Sequence, residues 1–411
     1  MGEMTAYVSR WVLPVSQPPI RDGAVVVSRN HIAAVGPARE VLVGFAGPVQ
    51  DHGRGAILPG LVNCHVHLEF SALEGRVPPQ TRWEDWLGKT LAAYGALTPE
   101  EIDAGIPRGI ASLRQSGTIL VGEVTNTGAS WPYLNRGLLK YQLFYECLGF
   151  DLLDLEELKD AFPFFAQPGA AATPFVSAAA HAPYSVSAAL FRAIGRWNQS
   201  HSRPQMVHLA ESRAEVEFLS RGDGFFKNLL QSRGRWVPGF QPPGLSPAAY
   251  LDALQFLGPG TLSVHGVWLS ASDRELLAQR RTWLVLCPRA NGHTGAGTPP
   301  VEELIEAQLP LALGTDSMAG NVDLNLFGEM LWLYENFPAY PGDLWLRLGT
   351  LNGASALERG TELGSLEPGK TAALGFIPLK GSSDFWGELF ATGARGEFRW
   401  IEGFVGGGPG S

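Results

Sequence analysis

From Leu58 onward, short apolar runs alternate with longer amphipathic stretches for about 300 residues. The runs include "TILVGEVTN", "PFVSAAAH", "PQMVHLAES", "GTLSVHGVWLS", "TWLVLCPRAN" and "LPLALGTDS". Between them lie "AALFRAIGRWNQ", "SDRELLAQRR" and "VEELIEAQ", whose apolar residues recur at helical spacing. Strands that alternate with helices over such a length predict a parallel sheet with crossover helices. The count and length favour a (β/α)8 TIM-like barrel over an open doubly wound sheet. No GxGxxG follows a strand, which weakens the dinucleotide-binding version of the open sheet.

The chain ends read differently. Residues 5–57 carry short β-type runs, "AVVVS", "HIAAVG" and "GAIL", broken by "RDG", "GPARE" and "HGRG". After about residue 356 the same style returns in "LGSLEPGKTAALGFIPL" and "GEFRWIEGFVGG". The expected fold class is therefore α/β: a barrel over 58–355 and a small β-sandwich domain built from 1–57 and 356–411. The tail "VGGGPGS" is expected to be mobile.

Composition narrows the ligands. With 45% hydrophobic and 17% charged residues, a packed core is available and disorder is not expected. The 50 glycines and 30 prolines suit short strands joined by structured loops. A formal net charge of −9 without a basic run argues against nucleic-acid and anionic-membrane partners, leaving a small-molecule substrate. A homodimer is the assembly left open. Cys64, Cys147 and Cys287 are too few and too scattered for a disulfide framework or zinc-finger spacing, which fits a reduced, cytoplasmic setting. The opening residues lack the basic and apolar regions of a signal peptide, and the longest apolar runs are too short to cross a bilayer.

In "LPGLVNCHVHLEF", His65 and His67 stand two residues apart at the end of a strand that starts near Leu58. Residues i and i+2 of a strand share a face, so the two imidazoles project together where barrel active sites are built. By itself the pair also fits two polar loop residues bonded locally. Three further runs end in potential ligands: "MVHLAE" in His208 and Glu211, "LSVHG" in His265, "LALGTDS" in Asp316. Singly these read as a core histidine or a helix cap. Together on one rim they read as a metal site, because buried imidazoles and carboxylates need a partner. Glu211 reaches the same pocket only if the chain leaves the strand after His208. That puts it in the loop above the metal, a place for a proton shuttle and not for a fourth ligand.

"PGLVNCHVHLE", "HLAES", "VHG" and "GTDS", in this order, resemble the amidohydrolase superfamily. The nearest likeness is to its metal-dependent aminohydrolases: s-triazine hydrolases and the deaminases of guanine, S-adenosylhomocysteine and aminodeoxyfutalosine. The likeness extends over nearly the whole chain. It implies that His65, His67, His208 and Asp316 bind one divalent metal, zinc or iron, with Glu211 as proton shuttle and His265 orienting the attacking water. "GKTAAL" departs from the family in having Ala373 where an Asp is usual. "TPFVSAAAHAPYS" offers His181 and no bridging lysine, which disfavours a two-metal centre.

Three imidazoles and a carboxylate suit zinc, with iron compatible. Such a metal brings the pKa of its water from about 15.7 to near 7. The expected reaction is attack of that hydroxide on an amino-bearing ring carbon of a purine or purine nucleoside, releasing ammonia, with 6-aminodeoxyfutalosine as first candidate. Deamination of S-adenosylhomocysteine, methylthioadenosine or guanine, dechlorination of a triazine, and opening of a cyclic amide would use the same site. A non-catalytic scaffold is expected to have lost ligands. Candidate substrate contacts are His181 and Tyr184 in "HAPYSVS", Arg289 and Asn291 in "CPRAN", and the tryptophans Trp83 and Trp86 of "RWEDWLGK". His181 also fits an ordinary rim residue, and the tryptophans also fit packing.

Overall fold

The structure is a computed structural model that describes residues 4–401. The tail expected to be mobile lies outside the described residues. Eight parallel strands form the central sheet: Leu61–Val66, Thr118–Thr125, Lys140–Cys147, Val176–Ala180, Gln205–Leu209, Thr261–His265, Trp283–Leu286 and Leu311–Leu313. Each pairs with the next in sequence, so the order along the sheet is the order along the chain. The last strand comes round to the first, where Thr315 N and Asp316 N donate to His65 O at 3.1 and 3.0 Å. Gly314 permits this approach, since a Cβ there would lie 2.8 Å from the Cβ of His65. The arrangement is a nearly closed (β/α)8 barrel, as the alternating pattern predicts.

Strand parity divides the core in two. Leu284, Leu286, Leu311 and Leu313 pack with helix residues such as Ile106, Leu190, Leu277 and Met330. Val285 and Ala312, one residue out of step, join a second buried cluster with Met206, Leu262 and Val264. This is the two-faced alternation of a strand, and it gives His208 the same face as Met206.

The small sheet has seven strands drawn from both chain ends. Its path runs Arg399–Trp400, Leu374–Pro378, Gly55–Pro59, Met4–Val12, Ile20–Ser28 and His31–Pro37, with Val49–Asp51 beside Met4–Val12. Leu58 lies in this sheet opposite Gly375, so the first barrel strand starts at Leu61, just past Gly60. Ala373, the departure noted above, is buried here, and its carbonyl accepts from Gly60 N at 2.9 Å. No helix among the described residues is long and apolar enough to cross a membrane.

Candidate metal centre

The strand ends bring His65, His67, His208, His265, Glu211 and Asp316 together, all buried. The Nε2 atom of His65 lies 3.2 Å from that of His67 and 3.3 Å from that of His208. Asp316 Oδ1 stands 3.7 Å from the Nε2 of both His65 and His67. The ligand atoms of the three histidines all fall within 4.8 Å of one another.

Tautomer and charge follow from the surroundings. His208 Nδ1 lies 2.8 Å from the His181 carbonyl and so donates its proton there, leaving a lone pair on the inward Nε2. Burial first, then neighbouring imidazoles, holds His65 well below the ordinary histidine range. Burial and then His65 do the same for His67, against the opposing charge of Asp316. Neutral rings that turn lone pairs toward one another, with a carboxylate alongside, leave acceptors facing acceptors. A divalent cation satisfies that donor set, and the residues present fit one.

Across from these histidines, Glu211 Oε1 lies 3.7 Å from His265 Nε2. Burial, with the Asp316 charge adding, pushes the Glu211 carboxyl up to about 7, while His208 and the Trp83 indole oppose the shift. His265 Nδ1 faces Asn291 Oδ1 at 2.9 Å, which fixes the donor on Nδ1 and leaves Nε2 as an acceptor. The loop that carries Glu211 is itself tied down, because Ala210 N and Glu211 N donate to the buried carboxylate of Glu215 at 2.9 and 3.2 Å. Three strand-end residues here are non-glycine yet left-handed: Ala210 at φ +50, His265 at +76 and Asp316 at +57. Each such conformation costs about 1–3 kcal/mol and persists only where its surroundings hold it.

The candidate substrate contacts divide. His181 sits beside the cluster, its ring centroid 5.2 Å from that of His208, and Tyr184 packs against it at 5.6 Å. Trp83 faces Glu211, whereas the Trp86 indole donates to the Ala319 carbonyl at 2.9 Å. The Arg289 guanidinium is held by both oxygens of Asp323 at 2.9 Å. Asn291 is fully buried against His265. The structure thus brings His181, Tyr184 and Trp83 to the centre and engages Arg289 with another carboxylate.

Several organising residues escaped the sequence reading. Glu69 accepts from Thr125 Oγ1, from Thr127 Oγ1 at 2.7 Å and from the backbone of Asn126 and Ala129 at 3.2 Å. Glu123 accepts from Leu68 N, and Glu146 accepts from Asn126 Nδ2 at 2.8 Å while its other oxygen stands 3.5 Å from His208 Nδ1. Glu329 takes the backbone N–H of Arg289 and the amide of Asn321, both at 2.9 Å. An available signal was a lone carboxylate inside an otherwise apolar strand run, as in "LVGEVT" and "LFYEC".

A barrel closed at a buried His/Asp cluster defines a metallohydrolase-type architecture, and sequence comparison names the family. The chain belongs to the amidohydrolase family, whose model matches residues 56–387. It is 30% identical to a 5-methylthioadenosine/S-adenosylhomocysteine deaminase of Syntrophobacter fumaroxidans, over 86% of this chain and 79% of that one. It is 28% identical to an aminodeoxyfutalosine deaminase of Nitratiruptor sp., over 88% of each. An adenosine deaminase of Xanthomonas campestris, solved with bound zinc, superposes with a TM-score of 0.77 at 25% identity, covering 97% of this chain and 90% of that one. Family and zinc-bound neighbour support a divalent metal.

Proposed function

We propose that the protein is a metal-dependent aminohydrolase that removes the ring amino group of an adenosine-type nucleoside modified at its 5′ end. The first candidate is aminodeoxyfutalosine, followed by methylthioadenosine and S-adenosylhomocysteine. The observation that carries the reading is the convergence of three inward Nε2 atoms and the Asp316 carboxylate beside a Glu211–His265 pair. The names of the relatives in Syntrophobacter and Nitratiruptor support the leaving group and the nucleoside.

In this reading His65, His67, His208 and Asp316 hold the metal, with zinc favoured by three nitrogens and one oxygen. A cation bound there would supply Lewis acidity toward a water at neutral pH. Glu211, held up to about 7, keeps a proton that it can give to the ring nitrogen; it would regain one from the added hydroxyl as the carbonyl forms, while the proton the water leaves on Asp316 would go to the departing amine. His265, with Nδ1–H donating to Asn291, offers Nε2 to orient the water. Asp316 takes the water's proton. His181 and Tyr184 line the approach of the nucleoside. Cys64, Cys147 and Cys287 are free and buried, which supports a reducing, cytoplasmic setting.

The test is ammonia release by zinc-loaded and chelated protein from adenosine, 5-methylthioadenosine, S-adenosylhomocysteine, aminodeoxyfutalosine and guanine. Metal-dependent ammonia from an adenosine derivative is the expected result. Ammonia from none of them overturns the reading. Metal content by elemental analysis decides zinc against iron.

A further inference from the structure

The end of the barrel opposite the metal centre carries a cavity of about 600 Å3. It lies where the fifth and sixth strands begin, at Gln205 and Thr261, whereas His208 and His265 stand near the other ends of those strands. Helix Ala188–His201 forms one wall and the loop 254–260 another. Gly195 is on the helix wall, and a Cβ there would meet nothing within 4 Å, so the space in front of the helix is open.

The charges that line this cavity are all of one sign. Arg192, Arg196 and Arg203 line it, and no aspartate or glutamate does. The chain as a whole is the reverse, with 31 basic against 40 acidic residues. Arg192 and Arg196 are four positions apart on one helix, so they share a face, and like charges at that spacing work against the helix. None of the three guanidiniums is in an ion pair among the described residues. Their hydrogen bonds go to carbonyl oxygens: Arg196 Nη2 donates to Glu156 O at 2.7 Å and Arg203 Nη2 to Thr173 O at 3.5 Å. A carbonyl accepts a proton but leaves the positive charge unbalanced. Arg203 Nε is buried and has no hydrogen-bond partner. Glu358 is the carboxylate that Arg203 acts on, opposing the burial that raises it, yet Glu358 neither pairs with Arg203 nor lines the cavity.

We propose that this cavity binds a small phosphorylated anion, its phosphate held by Arg192, Arg196 and Arg203. Guanidinium groups present parallel N–H donors that match the oxygens of a phosphate in pairs. A phosphate ester carries about −1.5 to −2 charge at neutral pH, whereas a single carboxylate would balance only one of the three cations. The volume falls inside the range of small-molecule sites, about 300–1,000 Å3. The site is separate from the metal centre, and the assignment does not rest on the deaminase reading.

The experiment is calorimetric titration of the metal-loaded protein with inorganic pyrophosphate, and with acetate at matched ionic strength. Pyrophosphate should bind about tenfold or more tightly than acetate, and the double variant Arg192→Ala/Arg196→Ala should lose about tenfold or more of that affinity, the worth of one charge-assisted hydrogen bond. Both arginines are exposed on a helix and alanine favours helix, so the variant should fold. Pyrophosphate also binds metal ions, and a second readout on the wild-type protein separates the two places. Modification of arginines by a dicarbonyl reagent, mapped by mass spectrometry, should slow at Arg192 and Arg196 when pyrophosphate is present. It should be unchanged at Arg39, which is exposed and outside the cavity. Equal affinity for acetate, affinity that survives in the double variant, or arginines modified at the same rate with and without pyrophosphate each overturns the assignment.

Discussion

The rim of this barrel has two sides that are equally buried and opposite in how their polar atoms are satisfied. On the side of the first three strands, Glu69, Glu123 and Glu146 point their oxygens at backbone amides, threonine hydroxyls and Asn126. On the side where the first strand meets the fifth, sixth and eighth, nitrogen faces nitrogen and a carboxylate stands off at 3.7 Å. A folded chain can afford the first arrangement from its own resources. In the proposed reading the second is completed from outside, by a cation and a reacting molecule. Burial alone therefore does not mark a site; several buried imidazoles turned on one another beside a carboxylate do.

The contrast can be broken from the reactive side. Glu211→Gln keeps the ligands and removes the titrating proton, so turnover should fall about 10²–10⁴-fold with metal content unchanged, measured by ammonia release and elemental analysis. Near-normal turnover in that variant ends the shuttle assignment. Removing the metal should act on stability as well as on activity. Zinc at about a hundred times its dissociation constant should add about 2.7 kcal/mol relative to chelated protein, read as a shift in Tm.

The satisfied side should respond in stability first. Glu69→Leu strands one buried donor, the Thr125 hydroxyl, and several part-buried ones; a buried donor is worth about 1–3 kcal/mol, so chemical denaturation should show a loss of about that size. Asn291→Ala frees His265 Nδ1 without touching a ligand. A loss of about 10–100-fold in kcat with a displaced pH profile is expected, and a loss confined to KM would instead make Asn291 a substrate contact.

Glu215 gives the smallest test. Burial pushes its carboxyl up to about 8, from an ordinary value near 4.5. The folded state then binds more protons than the unfolded state between those values, so stability falls as pH rises through the window. Glu215→Gln should flatten that slope, read as unfolding free energy against pH. An unchanged slope would show that Glu215 does not titrate there.

The readable part of the molecule was what strand periodicity controls. The alternation of apolar runs predicts the barrel, and the i, i+2 spacing puts His65 and His67 on one face. Asp316 and His265 could be read because each ends an apolar run. Glu211 could be read because its i+3 offset from His208 requires the chain to turn off the strand. Long-range pairings were not readable. That Arg289 meets Asp323, or that Asn291 turns its Oδ1 to His265, depends on loop paths that no local pattern specifies. The share of the strand around Leu58 that belongs to the small sheet depends on a partner more than 300 residues away, Gly375. The carboxylates on the satisfied side were passed over because Glu123 and Glu146 stand singly inside apolar runs and Glu69 in the turn after the first barrel strand, so none pairs with a second polar residue by spacing.

The seam of the barrel has a further consequence. Asn63 and Thr315 bond across it, Nδ2 to Oγ1 at 2.7 Å, over 252 positions of sequence, and His65 O takes the N–H of Asp316 at the same place. The first and last residues of the proposed ligand set, His65 and Asp316, thus also stand at the two edges that must meet for the sheet to become a ring. A cation held by His65 and Asp316, as proposed, would act as a clasp on that ring, and by linkage whatever loosens the seam would weaken the grip on the cation to the same degree. Metal uptake would then count complete barrels, since a chain whose last strand has not docked offers the cation only part of its ligands.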